Sequence, residues 1–348
     1  MKYSLSELNK YLGNGLLVKQ THPTLPLSIW NYSRECQYAG AWDSITTSCR
    51  GLVIDDMGNV IAKPFPKFFN VEELDEKDIP NEPFDVFSKM DGSLGIVFNY
   101  NSEWIVATKG SFVSTQSVKA AEMLINKYDV SELNKDYTYL FEIIFPANMI
   151  VCNYGLDEKL VLLSAYNTSN CVEIERSELE KLKSFELVKK YDGFTDYKVL
   201  KSLIKDNEEG FVIRFKNGFR MKDKGMEYVR LHKIVTNIST VTIWETLKQG
   251  KKLELDMIPD EFDKWVNSVV TDLRSKFLLT KVIAESLYAK RKAEVPDEER
   301  REYADWVLEQ DGKLHPILFR IADDKTYDDI IWRQIRPEYA RPIWDGEE

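Results

Sequence analysis

A lysine amine is a nucleophile only after it loses its proton, and with a pKa of about 10.4 only about one free lysine in a thousand is neutral at pH 7. A lysine that forms covalent bonds therefore needs burial or cationic neighbours to shed its charge. The stretch Ser88-Lys89-Met90-Asp91-Gly92-Ser93 sets one lysine after the hydrophobic run Phe84 to Phe87, beside an acid and a glycine that lets backbone approach a ligand closely. Alone, K-x-D-G is a short pattern that also fits a surface lysine before a turn.

Other charged residues follow in order, each next to an apolar, strand-like run. Arg50, in Cys49-Arg50-Gly51, opens a strand, where its rigid fork can grip a phosphate or form a rim salt bridge. Lys67 lies among aromatics in Lys63-Pro64-Phe65-Pro66-Lys67-Phe68-Phe69-Asn70, which would bury its stem and aim its amine, or simply let it snorkel. Lys109, in Lys109-Gly110-Ser111, adds a cation after the strand Trp104 to Thr108. Glu142 interrupts the apolar run Tyr139 to Phe145, where an unbonded carboxylate is costly. A partner hydroxyl such as a ribose resolves that cost, and so does a solvent-facing position on a one-sided sheet. Glu209, in Glu208-Glu209-Gly210, could hold a divalent ion through water, or belong to an ordinary acidic loop. Arg220, Lys222 and Lys224 alternate, so they share one strand face. Such a stripe is either a solvated edge or a phosphate clamp, and as a clamp it is expected to lower the pKa of Lys89.

The elements that must position these groups read as two regions. From about Gly51 to Lys224 the chain is mostly strand. Hairpin signals sit at Asp56-Met57-Gly58, Asn101-Ser102 and Lys216-Asn217-Gly218, and helices are expected at about Thr115 to Tyr128 and Ser177 to Lys183. After about Ile238 glycine nearly vanishes and helical spacing dominates, as in Val241 to Lys248, Phe262 to Lys290 and Asp297 to Glu309. The expected class is α+β, with an antiparallel-sheet domain at 1–238 and an all-helical domain at 239–348.

Composition narrows the classes. A net charge of −10 over 348 residues argues against a general nucleic-acid coat, but not against an enzyme with a local basic site. Three histidines (His22, His232, His315) leave little for histidine metal clusters or Ser-His-Asp chemistry. Four cysteines without C-x-x-C spacing argue against zinc and disulfide frameworks and suit a reducing, cytoplasmic setting. No run approaches the roughly 20 apolar residues of a membrane span, and Met1 to Lys10 has no signal-peptide core.

Together these elements resemble the covalent nucleotidyltransferase superfamily of ATP-dependent ligases and capping enzymes. Lys89 to Gly92 matches its lysine motif, Phe141-Glu142 the third motif, Glu209-Gly210 the fourth and Lys222-Asp223-Lys224 the fifth. Finer features resemble the phage-type RNA ligase 1 family: Cys49-Arg50-Gly51, Lys67-Phe68-Phe69-Asn70, Lys109-Gly110-Ser111, Phe145 to Val151, and Tyr228-Val229-Arg230-Leu231-His232. The fifth motif can be registered on Arg220/Lys222 or on Lys222/Lys224. The gap from Lys224 to Tyr228 favours the second, although the aspartate between the lysines departs from the apolar residue expected.

The resemblance implies a nucleotidyltransferase domain with a nucleotide cleft, ATP as substrate, a covalent AMP on Lys89, and magnesium or manganese held at Glu209. It implies catalytic roles for Lys89, Glu142, Glu209, Lys222 and Lys224, and nucleotide contacts from Arg50, Lys67, Lys89, Lys109, Glu142, Lys222, Lys224 and Tyr228. The family's N-terminal phosphate-contacting tyrosine is taken as Tyr32, with its register open. The implied partner is RNA with 5′-phosphate and 3′-hydroxyl ends, with tRNA repair as a family-level role, in a host cytoplasm if the chain is of phage origin. DNA ligases and capping enzymes usually follow the fifth motif with a small β-barrel, whereas helices follow here. A non-catalytic RNA-binding relative would have had little reason to keep the lysine, both carboxylates and the cation stripe.

Overall fold

The structure is a computed structural model; it describes residues 1–251, 253 and 260–341. It divides into two compact units, one over Met1–His232 and a second that begins at Lys233.

In the first unit the strands run β1 (Leu17–Thr21), β2 (Leu27–Tyr32), β3 (Arg50–Asp55), β4 (Val60–Ala62), β5 (Phe69–Asn70), β6 (Phe84–Lys89) and β7 (Ser93–Tyr100). They continue with β8 (Glu103–Thr108), β9 (Tyr137–Ile144), β10 (Lys159–Asn167), β11 (Glu186–Leu187), β12 (Lys190–Tyr191), β13 (Gly210–Phe215) and β14 (Arg220–Lys224). Three sheets result, ordered β1-β2-β3-β4, β11-β10-β9-β7-β8 and β12-β6-β13-β14-β5. The expected α+β class holds. The pairing is antiparallel except at two edges, where β11 joins β10 and β5 joins β14 in parallel.

Local chemistry accounts for the hairpins. At the β3–β4 turn the Asp55 carboxylate accepts the amides of Met57 and Asn59, and Gly58 takes φ +82°. Between β7 and β8, Asn101 and Ser102 both adopt positive φ (52° and 67°), which matches the right-handed strand twist in a two-residue turn. Asn217 and Gly218 turn β13 into β14, with Gly218 at φ +88°.

Short capped helices complete the unit. They are α1 (Leu5–Gly13), α2 (Arg34–Ala39), α3 (Ser44–Ser48), α4 (Thr115–Lys127) and α5 (Arg176–Leu179). Ser4, Ser33, Asp43 and Ser114 cap the first four through side-chain oxygens that accept first-turn amides. The helix expected over Ser177 to Lys183 is a single turn instead. The Glu132 carboxylate takes the amides of Lys183 and Ser184, which would otherwise continue the helix. Residues before Arg50, for which no strand or helix was expected, supply β1, β2 and three helices.

The second unit is helical. It follows α6 (Met226–Asn237), which begins in the first unit, with α7 (Thr240–Lys248), α8 (Asp260–Glu294), α9 (Arg300–Leu308), α10 (His315–Ala322) and α11 (Asp328–Gln334). One core gathers Ile243, Trp244, Val266 and Leu273; another gathers Ala284, Val307, Ile317, Leu318 and Ile331. The Trp244 indole donates to the carbonyl of Trp332 at 2.8 Å, and the Tyr303 hydroxyl to that of Leu318 at 2.9 Å. Pro316 lies in the first turn of α10, where its missing amide costs nothing. The last seven residues of the expected helical region lie outside the described residues. Among the described residues no helix is long and apolar enough to cross a membrane.

Candidate active site

The second and third sheets of the first unit face each other across a cleft lined by Arg50, Lys89, Glu142, Val212 and Arg220, among others. Lys89 is the last residue of β6 and pairs in register with Gly210, the first residue of β13. That pairing brings the amine to Glu209, 120 residues away in sequence, at 2.8 Å from Oε2. The other carboxylate oxygen of Glu209 takes the Lys224 amine at 2.9 Å.

The turn after Lys89 is fixed from several directions. Asp91 is buried, accepting the amides of Val151 (2.8 Å) and Cys152 (2.7 Å) and the hydroxyl of Tyr228 (2.7 Å). Its own amide donates to the Tyr154 hydroxyl. Gly92 is required by contact, because a Cβ there would lie 2.6 Å from the Ile143 carbonyl oxygen. Gly210 is required by conformation and contact, with φ +144° and a Cβ position 2.0 Å from the Asp223 carbonyl oxygen.

Charge states follow from these neighbours. Burial opposes a charged Lys89, but Glu209, Glu142 and Asp91 outweigh it, and the amine is held above its ordinary pKa. This corrects the expectation of an amine discharged by surrounding cations: in the free protein Lys89 is an ammonium in a cluster of carboxylates. Burial likewise opposes an ionised Glu209, yet Lys89 and Lys224 hold its carboxyl below the usual range. Glu142, buried on β9, goes the other way. Burial, with help from Glu209 and Asp91, pushes it up to about 8 against the pull of Lys89 and Arg50. Its solvent-facing alternative does not hold, since it is 9% exposed.

Cations ring the mouth of the site. Burial, then Lys89, Lys224, Lys67 and Arg50, lowers Lys222 to about 7. Burial, then Arg50 and Lys67, lowers Lys109 to about 8. Lys67 is also lowered, first by burial. Aromatic faces stand where water would be: Lys67 lies 5.2 Å from the Trp42 ring centroid and 4.8 Å from that of Phe69. Lys109 lies 5.4 Å from Tyr32, Lys222 5.8 Å from Phe68, and Lys224 5.0 Å from Tyr228. One Nη of Arg50 is buried with no hydrogen-bond partner, although it is a donor. A ring of desolvated cations with an orphaned guanidinium nitrogen is a site made for an anion.

The structure thus brings together Arg50, Lys67, Lys89, Lys109, Glu142, Glu209, Lys222 and Lys224, with Tyr32 and Tyr228 backing two of the lysines. Arg220, the alternative start of the cation pair, is engaged elsewhere, with Glu173. Asp223 faces away from Lys222 and Lys224 by strand alternation, 3.9 Å from Lys201, which reconciles an acid with its place between two lysines. Trp42 and Glu173 gave no sequence signal of their own. Among the described residues no group of three or more histidine, cysteine or carboxylate side chains forms a metal cage. The ionised carboxylate of Glu209 is an oxygen donor of the kind that suits a hard ion keeping most of its water.

The chain is 25% identical over 222 residues to a protein of Autographa californica nuclear polyhedrosis virus assigned as a bifunctional polynucleotide kinase/RNA ligase, covering 54% of this chain and 31% of that one. It is 26% identical over 166 residues to a protein of Thermovibrio ammonificans assigned as an RNA ligase, covering 45% of this chain and 44% of the other. The chain thus spans less than half the length of these relatives. Among solved structures, Naegleria gruberi RNA ligase with PPi aligns with a TM-score of 0.40 at 18% identity, over 48% of this chain and 57% of that one. The sequence pattern of the RNA ligase family matches residues 48–231, just over half of the chain and every one of the grouped cations and carboxylates above, and the chain belongs to that family.

Proposed function

We propose that this chain seals RNA ends with ATP, through AMP carried covalently on Lys89. The observation that supports it most is the Lys89–Glu209–Lys224 bridge, with Lys222 and Arg50 beside it. In this reading the α-phosphate of ATP lies at Lys89, Arg50, Lys222 and Lys224, and the outer phosphates at Lys67 and Lys109. Magnesium or manganese, held through water by Glu209 with Glu142 nearby, would supply charge neutralisation at the phosphoryl oxygens.

The raised pKa of Lys89 sets the order of events. The amine keeps its proton while Glu209 is paired with it, with Asp91 and Glu142 nearby. A divalent cation at Glu209 would weaken that carboxylate's hold on the proton, while Lys222 and Lys224 beside the amine favour its neutral form; the proton leaves to solvent. The Nζ lone pair then forms a bond to the α-phosphorus, the bond to the β-phosphate oxygen breaks, and pyrophosphate departs. A 5′-phosphate oxygen of RNA next takes the AMP as the N–P bond breaks. A 3′-hydroxyl then attacks that 5′-phosphorus, a phosphodiester forms and AMP leaves. The lysines and Arg50 stabilise the phosphoryl charge at each step. Residues 1–238 carry the nucleotidyl transfer in this reading, 239–348 serve the sealing of RNA, and broken tRNA is a candidate substrate.

Incubation with α-labelled ATP and magnesium is expected to leave AMP on the chain, and Lys89→Met to abolish it. Labelling of the variant would assign the nucleophile elsewhere. Sealing of a 5′-phosphorylated single-stranded RNA, compared with nicked DNA, tests the polynucleotide.

A further inference from the structure

In the lining of the same cleft, Arg214 on β13 and Arg220 on β14 are directly opposed in register. Like charges in that position repel. Glu173, from the segment after β10, lies between them. Its Oε2 accepts from Arg214 Nε at 3.2 Å, and its Oε1 from Arg220 and from the Ser164 hydroxyl. Burial opposes its charge, but the two arginines and Ser164 outweigh it, and Glu173 stays ionised. Burying three charges is expensive, and apolar side chains of the same volume commonly serve stability as well or better. Glu173, Arg214 and Arg220 also line the cleft that holds Lys89 and Glu142.

The order of groups along that cleft matters. Gly210, Val212 and Arg214 share one face of β13, and Gly210 is the partner of Lys89. Four residues of strand separate the backbone of Arg214 from that of Gly210 by about 13 Å. The same cleft is lined by the apolar Phe87, Leu94, Leu163 and Val212, with the Arg176 guanidinium 5.7 Å from the Phe87 ring centroid. Cations, then an apolar slot, then a carboxylate is the order that a nucleotide presents as phosphate, ring faces and exocyclic ring edge.

Resting on the nucleotidyl-transfer reading above, we propose that Glu173 reads position 6 of the nucleobase and makes the site prefer a 6-aminopurine triphosphate. An ionised carboxylate only accepts, and of its roughly four lone-pair sites three are filled by Arg214, Arg220 and Ser164. The remaining one fits an exocyclic amine and opposes a carbonyl. The two arginines keep the carboxylate ionised and so keep the discrimination fixed.

The test compares ATP with inosine triphosphate, which carries a carbonyl at position 6, as labels for the full chain with magnesium. The wild type is expected to favour ATP by at least about tenfold in kcat/KM, the size of one charge-assisted hydrogen bond. Glu173→Gln, whose amide can turn either an acceptor or a donor toward the ring, is expected to bring the ratio within about threefold, mainly through KM. Should that variant fail to fold, Glu173→Asp, which withdraws the charge by one methylene, is expected to narrow the same ratio. An unchanged ratio in a folded variant, or equal labelling of the wild type by both nucleotides, overturns the role of Glu173 and leaves nucleotidyl transfer standing. A wild type labelled by neither nucleotide overturns both.

Discussion

Two walls of one cleft each bury a glutamate, and the two glutamates end in opposite charge states. Glu209, at the head of β13, is 3% exposed and ionised, because an amine sits on each of its oxygens. Glu142, near the end of β9, is 9% exposed and largely protonated at neutral pH, because burial, with Glu209 and Asp91 behind it, outweighs the pull of Lys89 and Arg50. Burial is similar, so the partner decides the charge. One wall therefore holds a fixed anion bridged by two amines. The other offers a neutral carboxyl that can donate or accept a hydrogen bond, as a ribose hydroxyl requires.

The largest effect expected is that of removing the fixed anion. Glu209→Gln leaves Lys89 and Lys224 facing each other and is expected to lower the rate of self-labelling by ATP about 10²- to 10³-fold, measured by single-turnover kinetics. A change under threefold would show that the ion pair is only structural. Backbone space at the two walls gives the next contrast. Gly210→Ala combines an unfavourable φ with a Cβ 2.0 Å from a carbonyl oxygen, and is expected to cost about 3 kcal/mol or more in denaturant unfolding. Gly92→Ala meets the β9 wall at 2.6 Å in ordinary φ, and is expected to cost about 1–3 kcal/mol.

Glu142→Gln sharpens the difference in charge. The folded carboxyl titrates at about 8, above its unfolded value of 4.5, so the folded state binds more protons across that window. Wild-type stability from this group is full below the unfolded value and falls as pH rises to about 8. The Tm of Glu142→Gln relative to wild type is therefore expected to climb by a few degrees between pH 5 and 8 and then level off. A flat difference would place the charge elsewhere. The smallest effect belongs to Tyr228→Phe, which removes one of three donors to Asp91 and is expected to cost about 1–2 kcal/mol by the same unfolding measurement.

Much of this was legible along the chain. Turn residues marked the hairpins because their chemistry is local, and a lone acid in Tyr139–Phe145 marked Glu142 because alternation makes it conspicuous. The charge of Lys89 was not legible. Its three carboxylate neighbours come from positions 91, 142 and 209, and only the β6–β13 register brings the last within reach. Glu173 stayed hidden for the same reason: nothing near it in sequence announces the two arginines that it separates. The N-terminal strands were missed because no charged motif there drew attention, and the short α5 because a distant glutamate captures the amides that would have prolonged it.

The clasp at Asp91 has a kinetic consequence. Its partners lie 60, 61 and 137 residues along the chain, so the loops they close are long and their entropy is lost before the contact rewards it. A chain still being synthesised can complete the hairpins around β3 and β7 early, but the turn that presents the amine is pinned only after α6 has emerged. The fully clasped Lys89 turn is thus a late product of folding, and incompletely made chains carry the lysine without the Tyr228 hydroxyl on Asp91.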